Sequence, residues 1–452
     1  MSVKLIVANR GEIACRVLRA AKCLGLPTVA VYSEADEGAP HVAMADEAVL
    51  IGPAPAGQSY LDQDKIMDAA RRTGATMLHP GYGFLAENAG FARRCADEGV
   101  RFVGPSPDVI TAMGDKEQAR RIAIEAGVPV SPGTGKLGLD AAVAMAEARR
   151  VGFPLLVKAA AGGGGIGMRL VGDEAALAAA VETTRSLAER AFGDGSVYLE
   201  HFVQRARHIE VQVFGFGDGK AVHLFDRDCS VQRRHQKVIE EASSPSLTDA
   251  IRTQMTAVAV RLAAACRYEG AGTVEFMYDE QSGRFFFLEM NTRIQVEHPV
   301  TELVTGVDLV VAQLRQALGE DLSRELAQER IGIHGHAVEA RIYAERPAKN
   351  FMPSPGPLNV MRLPSGDGLR IDTGFREGMK VTPFYDPMLM KVIAHGGDRK
   401  QAIARLHAAL GDVLIEGIET NVAFLRNILA HPTFVAGQVH TTWLNDAIKE
   451  LV

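Results

Sequence analysis

The chain has 452 residues, 47% hydrophobic and 23% charged, with 49 basic against 55 acidic side chains and a formal net charge of −6. These fractions exclude a disordered or fibrous chain, and an acidic balance without a long basic run excludes nucleic acid as the main partner and a polybasic membrane anchor. The five scattered cysteines form no CxxC pair and no run approaches 18 apolar residues, so the expectation is a soluble, cytoplasmic protein of about three domains with neither a disulfide framework nor a membrane span.

Residues 3–8 read as a buried strand. Residues 11–24 place Ile13, Val17, Leu18, Ala21 and Leu24 at helical spacing before a stop at Gly25, and 28–32 form the next strand. Alternation of this kind to about Gly104 predicts a doubly wound, mostly parallel sheet. The first turn, Asn9-Arg10-Gly11-Glu12, lacks the GxGxxG fingerprint, so dinucleotide binding is not supported there. His79-Pro80-Gly81-Tyr82-Gly83-Phe84 follows a strand end, where open α/β sheets bind ligands. A tight turn with Tyr82 packed against it is the equal alternative.

Residues 131–138 form a hinge-like loop. Gly135-Lys136 resembles the end of a P-loop, but Val130 and Leu137 stand where glycine and Ser/Thr are required, so Walker A is rejected. From about 204 the chain is strand-rich, with strands around 209–214, 221–225, 273–278 and 284–289 and helical patterns over 247–266, 306–318 and 399–411. Phe351 to Pro357 reads as a rigid connector into a last region, 357–452.

Glycine is in mild excess, 45 of 452, or about a tenth against an average near 7%. Its densest cluster, Gly162 to Gly167, is flanked by strand-like Pro154–Lys158 and Met168–Val171. A dinucleotide turn needs a helix after its glycines; here they join two strands. Such a hairpin loop can cover phosphates with unobstructed backbone N–H groups, with Lys158 as a point charge nearby, and a surface linker is the plainer reading.

In Glu289-Met-Asn291-Thr-Arg293-Ile-Gln295-Val-Glu297, every second residue is polar, and on a strand all five would share one face. With Glu275 from a neighbouring strand they offer the hard oxygen ligands that magnesium favours. A salt-bridge ladder is the alternative. The run Asp226 to Lys237 holds Arg233, Arg234, His235 and Lys237 within five residues, read either as a solvated face or as an anion-holding loop. Together these features point to a nucleoside triphosphate activating a small anion.

At this point the chain resembles the biotin carboxylase family of ATP-grasp enzymes. The likeness runs along almost the whole length, through Ile6-Val-Ala-Asn-Arg-Gly-Glu, His79 to Asn88, Gly162 to Met168, Gln232 to Lys237, Glu289 to His298 and Tyr385-Asp-Pro-Met. It implies an α/β (α+β) fold: an N-terminal Rossmann-like domain over 1–115, an ATP-grasp domain over 116–330 with a lid at about 131–203, and a C-terminal domain over 331–452. The implied activity is ATP-dependent carboxylation of biotin by bicarbonate through carboxyphosphate.

By that resemblance, Lys116 and Lys158 contact ATP phosphates under Gly164 and Gly165. Glu200, His201 and Val203 hold adenine, and His208 and His235 complete the nucleotide site. Glu275, Glu289 and Asn291 hold Mg²⁺ or Mn²⁺. Lys237, Arg293, Gln295 and the Val296 backbone hold bicarbonate, Glu297 is the base, and Arg341 steadies the biotin enolate. Ile166 departs from the arginine or lysine common in acetyl-CoA carboxylase relatives. No Ala-Met-Lys-Met biotinylation motif occurs, so biotin is expected on a separate carrier protein that serves a separate carboxyltransferase, with a homodimer expected from relatives. The competing readings are another ATP-grasp ligase with an amine acceptor, and a silent nucleotide-binding regulator.

Overall fold

A computed structural model describes residues 3–137, 141–159, 168–192, 195–234 and 236–452. Gly164, Gly165 and Ile166 of the glycine cluster, and His235, lie outside the described residues. The chain divides into two compact units, the larger made of Met1–Val128, Arg207–Met277 and Leu288–Val452, the smaller of Pro129–Ala206 with Tyr278–Phe287.

The larger unit opens with β1 (Leu5–Val7), α1 (Gly11–Cys23), β2 (Thr28–Tyr32), β3 (Glu47–Leu50), β4 (Met77–His79) and β5 (Arg101–Phe102). All pairings in this sheet are parallel, in the order β3-β2-β1-β4-β5. Helix α1 buries Ile13, Val17, Leu18 and Ala21 of the stripe that its spacing predicts, and Ala14 beside them, while Leu24 caps the helix half-buried. It stops where Gly25 takes a left-handed φ of +66° and donates its N–H back to Lys22 O. Helix α2 (Lys116–Glu125) follows, with Asp115 accepting from Gln118 N as its cap.

The smaller unit contains α3 (Ala141–Val151), β6 (Leu155–Ala159), β7 (Met168–Val171), α4 (Glu174–Phe192) and β8 (Val197–His201). Its antiparallel sheet has the order β7-β6-β8, with Lys158 opposite both Met168 and Tyr198. The glycine cluster therefore connects adjacent strands, as its flanks predict. Leu155, Val157, Val171, Leu177, Val197 and Leu199 supply the core.

The rest of the larger unit is built on β9 (Ala206–Phe216), β10 (Ala221–Arg233), β11 (Gln236–Ala242), α5 (Asp249–Ala265), β12 (Glu269–Asp279), β13 (Arg284–Asn291), α6 (His298–Thr305), α7 (Leu309–Ala317), β14 (His336–Tyr343), β15 (Leu369–Thr373), β16 (Met388–Gly396) and α8 (Arg399–Gly411). Eight strands form one sheet, β13-β12-β9-β10-β11-β14-β16-β15. The predicted helix 306–318 is α7, which starts at Leu309 because Gly306 caps the preceding α6 with φ +72° and Asp308 caps α7 by accepting from Val311 N. One expectation changes here. The Phe351 to Pro357 connector does not leave the core. Phe351 and Leu358 are buried with Val231, Val238 and Val392, because β15 and β16 return to the same sheet through β14.

Candidate active site

The floor of the eight-stranded sheet carries a dense polar network. On β9, residues two apart share a face, which sets His208, Glu210 and Gln212 in a row. Lys237 Nζ donates to Glu210 Oε2 (2.6 Å), Glu275 Oε1 (3.0 Å) and Glu297 Oε1 (2.6 Å). An ammonium has three donors, so each is engaged. The other oxygen of Glu297 accepts from Arg341 Nη2 at 2.9 Å, and the same nitrogen pairs with Glu240. Gln295 Nε2 donates to Glu275 Oε1 at 2.8 Å. Arg293 donates through Nε to Glu87 Oε2 (2.8 Å) and through Nη2 to Asn291 Oδ1 (2.9 Å). Lys391, fully buried, donates to the carbonyl of Val296 at 2.6 Å.

These contacts set the charge states. Burial alone would raise the Glu297 carboxyl, but the charges of Lys237, Arg341 and Arg227 overcome it and hold the group well below the usual range. Burial would lower Lys237, and Glu210 and Glu297 reverse that, holding its ammonium well above the ordinary value. Glu275 is held low against burial by His208 and Lys237. Glu289 goes the other way: desolvation and the Glu275 charge raise it.

Glu289 therefore faces the negative charge of Glu275, which His208 and Lys116 offset only in part. It is one of the three hard-oxygen residues expected to hold magnesium, and the other two are bonded to each other, Asn291 Nδ2 donating to Glu275 Oε1 at 2.9 Å. A divalent ion there would relieve the repulsion between the two glutamates. His208, Glu210 and Glu275 also bring ligand atoms within 4.8 Å of one another, but Lys237 already bonds to two of the three. Lys116, the first residue of α2, acts on Glu289 through its charge.

The shared-strand expectation for 289–297 is overturned. Strand β13 ends at Asn291, and Glu297 sits at the start of α6, where Pro299 fits the first turn because it has no N–H to lose. Arg293, Gln295 and Glu297 reach their partners from an irregular loop, and Thr292 N donates to Glu87 at 3.1 Å. Ile294 is buried, while Val296 is only half-buried. The loop at 79–84 takes the tight-turn form: Asn9 Nδ2 donates to the carbonyls of Pro80 (2.7 Å) and Tyr82 (2.8 Å), and the Tyr82 hydroxyl donates to Glu12.

In the smaller unit, Lys158 Nζ pairs with Glu200 across β6 and β8. The His201 ring stands edge-on to Phe286 at 6.5 Å, and Val203 is buried. The run 226–237 divides. Arg234 is an exposed turn residue donating to Asn350, whereas Asp226, Arg227 and Asp228 are buried. Reading the run as one surface feature missed Arg227 and its partner Glu210. The available signal was the polar Glu210 and Gln212 alternating with Ile209, Val211 and Val213 in a central strand.

Comparison with known proteins gives the family. Residues 115–325 match the model described as carbamoyl-phosphate synthase L chain, ATP binding domain. Residues 1–110 match the biotin carboxylase N-terminal domain, and 339–446 the biotin carboxylase C-terminal domain. Biotin carboxylase 1 of Bacillus subtilis is 49% identical over 444 residues, 98% of each chain. The chain belongs to the biotin carboxylase family. Another relative within the family's reach, the mitochondrial methylcrotonoyl-CoA carboxylase subunit alpha of Dictyostelium discoideum, is 50% identical over 442 residues, and this chain spans 63% of its length. The biotin carboxylase domain dimer of the Hydrogenobacter thermophilus 2-oxoglutarate carboxylase, solved with MgADP, ADP and bicarbonate, superposes with a TM-score of 0.88. It is 44% identical, over 99% of this chain and 98% of that one. Like other biotin carboxylases, the chain is an ATP-dependent ligase with an ATP-grasp fold.

Proposed function

We propose that this chain carboxylates biotin with bicarbonate at the expense of ATP, and that the network around Glu297 carries the bicarbonate chemistry. Glu297 takes the proton of bicarbonate, whose oxygen attacks the γ-phosphorus as ADP leaves, giving carboxyphosphate. That species splits into CO₂ and phosphate. Phosphate takes the ureido N–H proton, and the freed nitrogen bonds to CO₂. Lys237, Arg293, Gln295 and the Val296 backbone hold the anion, and Arg341 holds the negative charge on the acceptor.

The observation that carries this reading is the Glu297 carboxylate gripped by Lys237 and Arg341 beside the Gln295 amide. A base so held is fully ionised at neutral pH but weak. When an incoming anion draws Lys237 away, the lowering influence on Glu297 falls and its basicity rises toward what proton abstraction needs. Anion binding thus activates the base.

Glu275, Glu289 and Asn291 would hold Mg²⁺ or Mn²⁺, which supplies charge neutralisation to phosphates when bound. For ATP we assign Lys116, His208 and His235, and separately Lys158, Gly164, Gly165, Glu200, His201 and Val203. The divisions at 115/116 and 330/331 are our assignment too. Biotin arrives on a carrier and leaves for a carboxyltransferase, a reading supported by relatives that are carboxylase subunits. The Hydrogenobacter dimer supports a homodimer. No helix among the described residues is long and apolar enough to cross a membrane, and all five cysteines are free, which supports a reducing, cytoplasmic setting.

The test is ATP cleavage with bicarbonate, with and without free biotin. Stimulation by biotin is the expected result; no stimulation, with turnover of an amine acceptor instead, sinks the proposal in favour of another ligase chemistry.

A further inference from the structure

Arg227 is fully buried in β10, and its guanidinium has five N–H donors, all of them used. Nε donates to Glu210 Oε1. Nη1 donates to Gln212 Oε1 (2.8 Å) and Thr301 Oγ1 (2.9 Å), and Nη2 to Thr273 Oγ1 (3.1 Å) and Gln295 Oε1 (2.8 Å). These acceptors come from β9, β12, the loop after β13, and α6. One planar fork thus ties four separate segments beneath the network that contains Lys237 and Glu297.

Two of these contacts bear directly on anion-holding groups. A glutamine amide can present either its oxygen or its NH₂ to a neighbour. A guanidinium only donates, so Gln295 must turn its oxygen to Arg227 and its NH₂ toward Glu275, leaving a second N–H on that side. Glu210 accepts Arg227 on one oxygen and Lys237 on the other, so the ammonium is located through the carboxylate. We propose that Arg227 is a positioning residue for bicarbonate, fixing the Gln295 amide and, through Glu210, the Lys237 ammonium so that both present donors to the anion. This rests on the bicarbonate reading above.

Lysine at 227 keeps the charge but cannot reproduce the fork. In the full chain, Arg227→Lys is expected to raise KM for bicarbonate roughly tenfold or more while KM for ATP stays within about twofold, measured by bicarbonate-dependent ATP cleavage. A purely structural role would move both constants together, and that result in the folded variant overturns the proposal, as does an unchanged bicarbonate KM. If Arg227→Lys does not fold, the double variant Thr273→Val with Thr301→Val decides. It removes one acceptor from each terminal nitrogen at nearly constant shape, and bicarbonate KM is expected to rise about threefold; no rise overturns the inference. Unsubstituted protein whose ATP cleavage ignores bicarbonate would fell the reading itself, and the Arg227 role with it.

Discussion

The candidate residues of the larger unit and those of the smaller unit are held in different ways. In the larger, Lys237, Glu275, Gln295, Glu297 and Arg341 each contact two or more side chains on the eight-stranded sheet or its neighbours. In the smaller, Lys158 and Glu200 form one cross-strand pair on a three-stranded sheet, and Nδ1 of His201 has no hydrogen-bond partner among the described residues. The contrast follows from the chemistry assigned to each. Proton abstraction from a small anion needs fixed geometry and a tuned carboxylate, whereas a phosphate can be met by a single cation on a long stem.

The largest effect should come from the network. Glu297→Gln keeps the shape and removes the base, so carboxylation should fall about a hundredfold to ten-thousandfold, with ATP affinity little changed; turnover near the unsubstituted rate would break the contrast at its strongest point. The sheet that carries the network should also open in acid. Burial would raise Glu241, but its bonds with His336 (2.8 Å) and Arg399 (2.6 and 3.0 Å) hold it at about 2, against an ordinary value of 4.5. A lowered carboxyl stabilises the fold above its unfolded pKa and loses that contribution as pH falls through the folded one. Between about pH 4.5 and 2, Glu241 should therefore forfeit up to about 3 kcal/mol. Melting curves across that range should be less pH-dependent for Glu241→Gln, and identical slopes would refute the assignment.

In the smaller unit, Lys158→Met should raise KM for ATP about tenfold and leave KM for bicarbonate within error. A bicarbonate effect as large as the ATP effect would erase the distinction between the units. Arg234→Ala gives the baseline. On an exposed turn it should shift stability by less than about 0.5 kcal/mol and carboxylation by less than twofold, so a larger loss of carboxylation would restore the anion-loop reading of that hairpin.

Much of the framework was legible because it is written in periodicity. The parallel opening, the strand–glycine–strand hairpin and α8 all appear where apolar spacing places them. The loop from Thr292 to Val296 was not, because alternation of polar and apolar residues looks the same whether a strand continues or a loop winds past several strands. Pro299 two residues after Glu297 was the overlooked sign of a helix start. Arg227 was hidden for another reason. A charge run is usually a solvated face, and only the pairing of β10 with β9 reveals that Arg227 lies opposite Glu210 and is enclosed. Buried charge is a property of pairs, and one strand's sequence shows only one member.

Glu339 extends that point to the behaviour of the whole molecule. It lies directly opposite Glu240 in the β11–β14 pairing, fully buried, with neither oxygen hydrogen-bonded among the described residues. Burial and the Glu240 charge raise it well above the ordinary value despite Lys391 and Arg341. In the folded sheet the Glu339 carboxyl therefore keeps its hydrogen ion to a higher pH than it would in the unfolded chain. Unfolding above the ordinary carboxylate range should therefore release that ion, and calorimetric unfolding enthalpies there should vary with the heat of ionisation of the buffer.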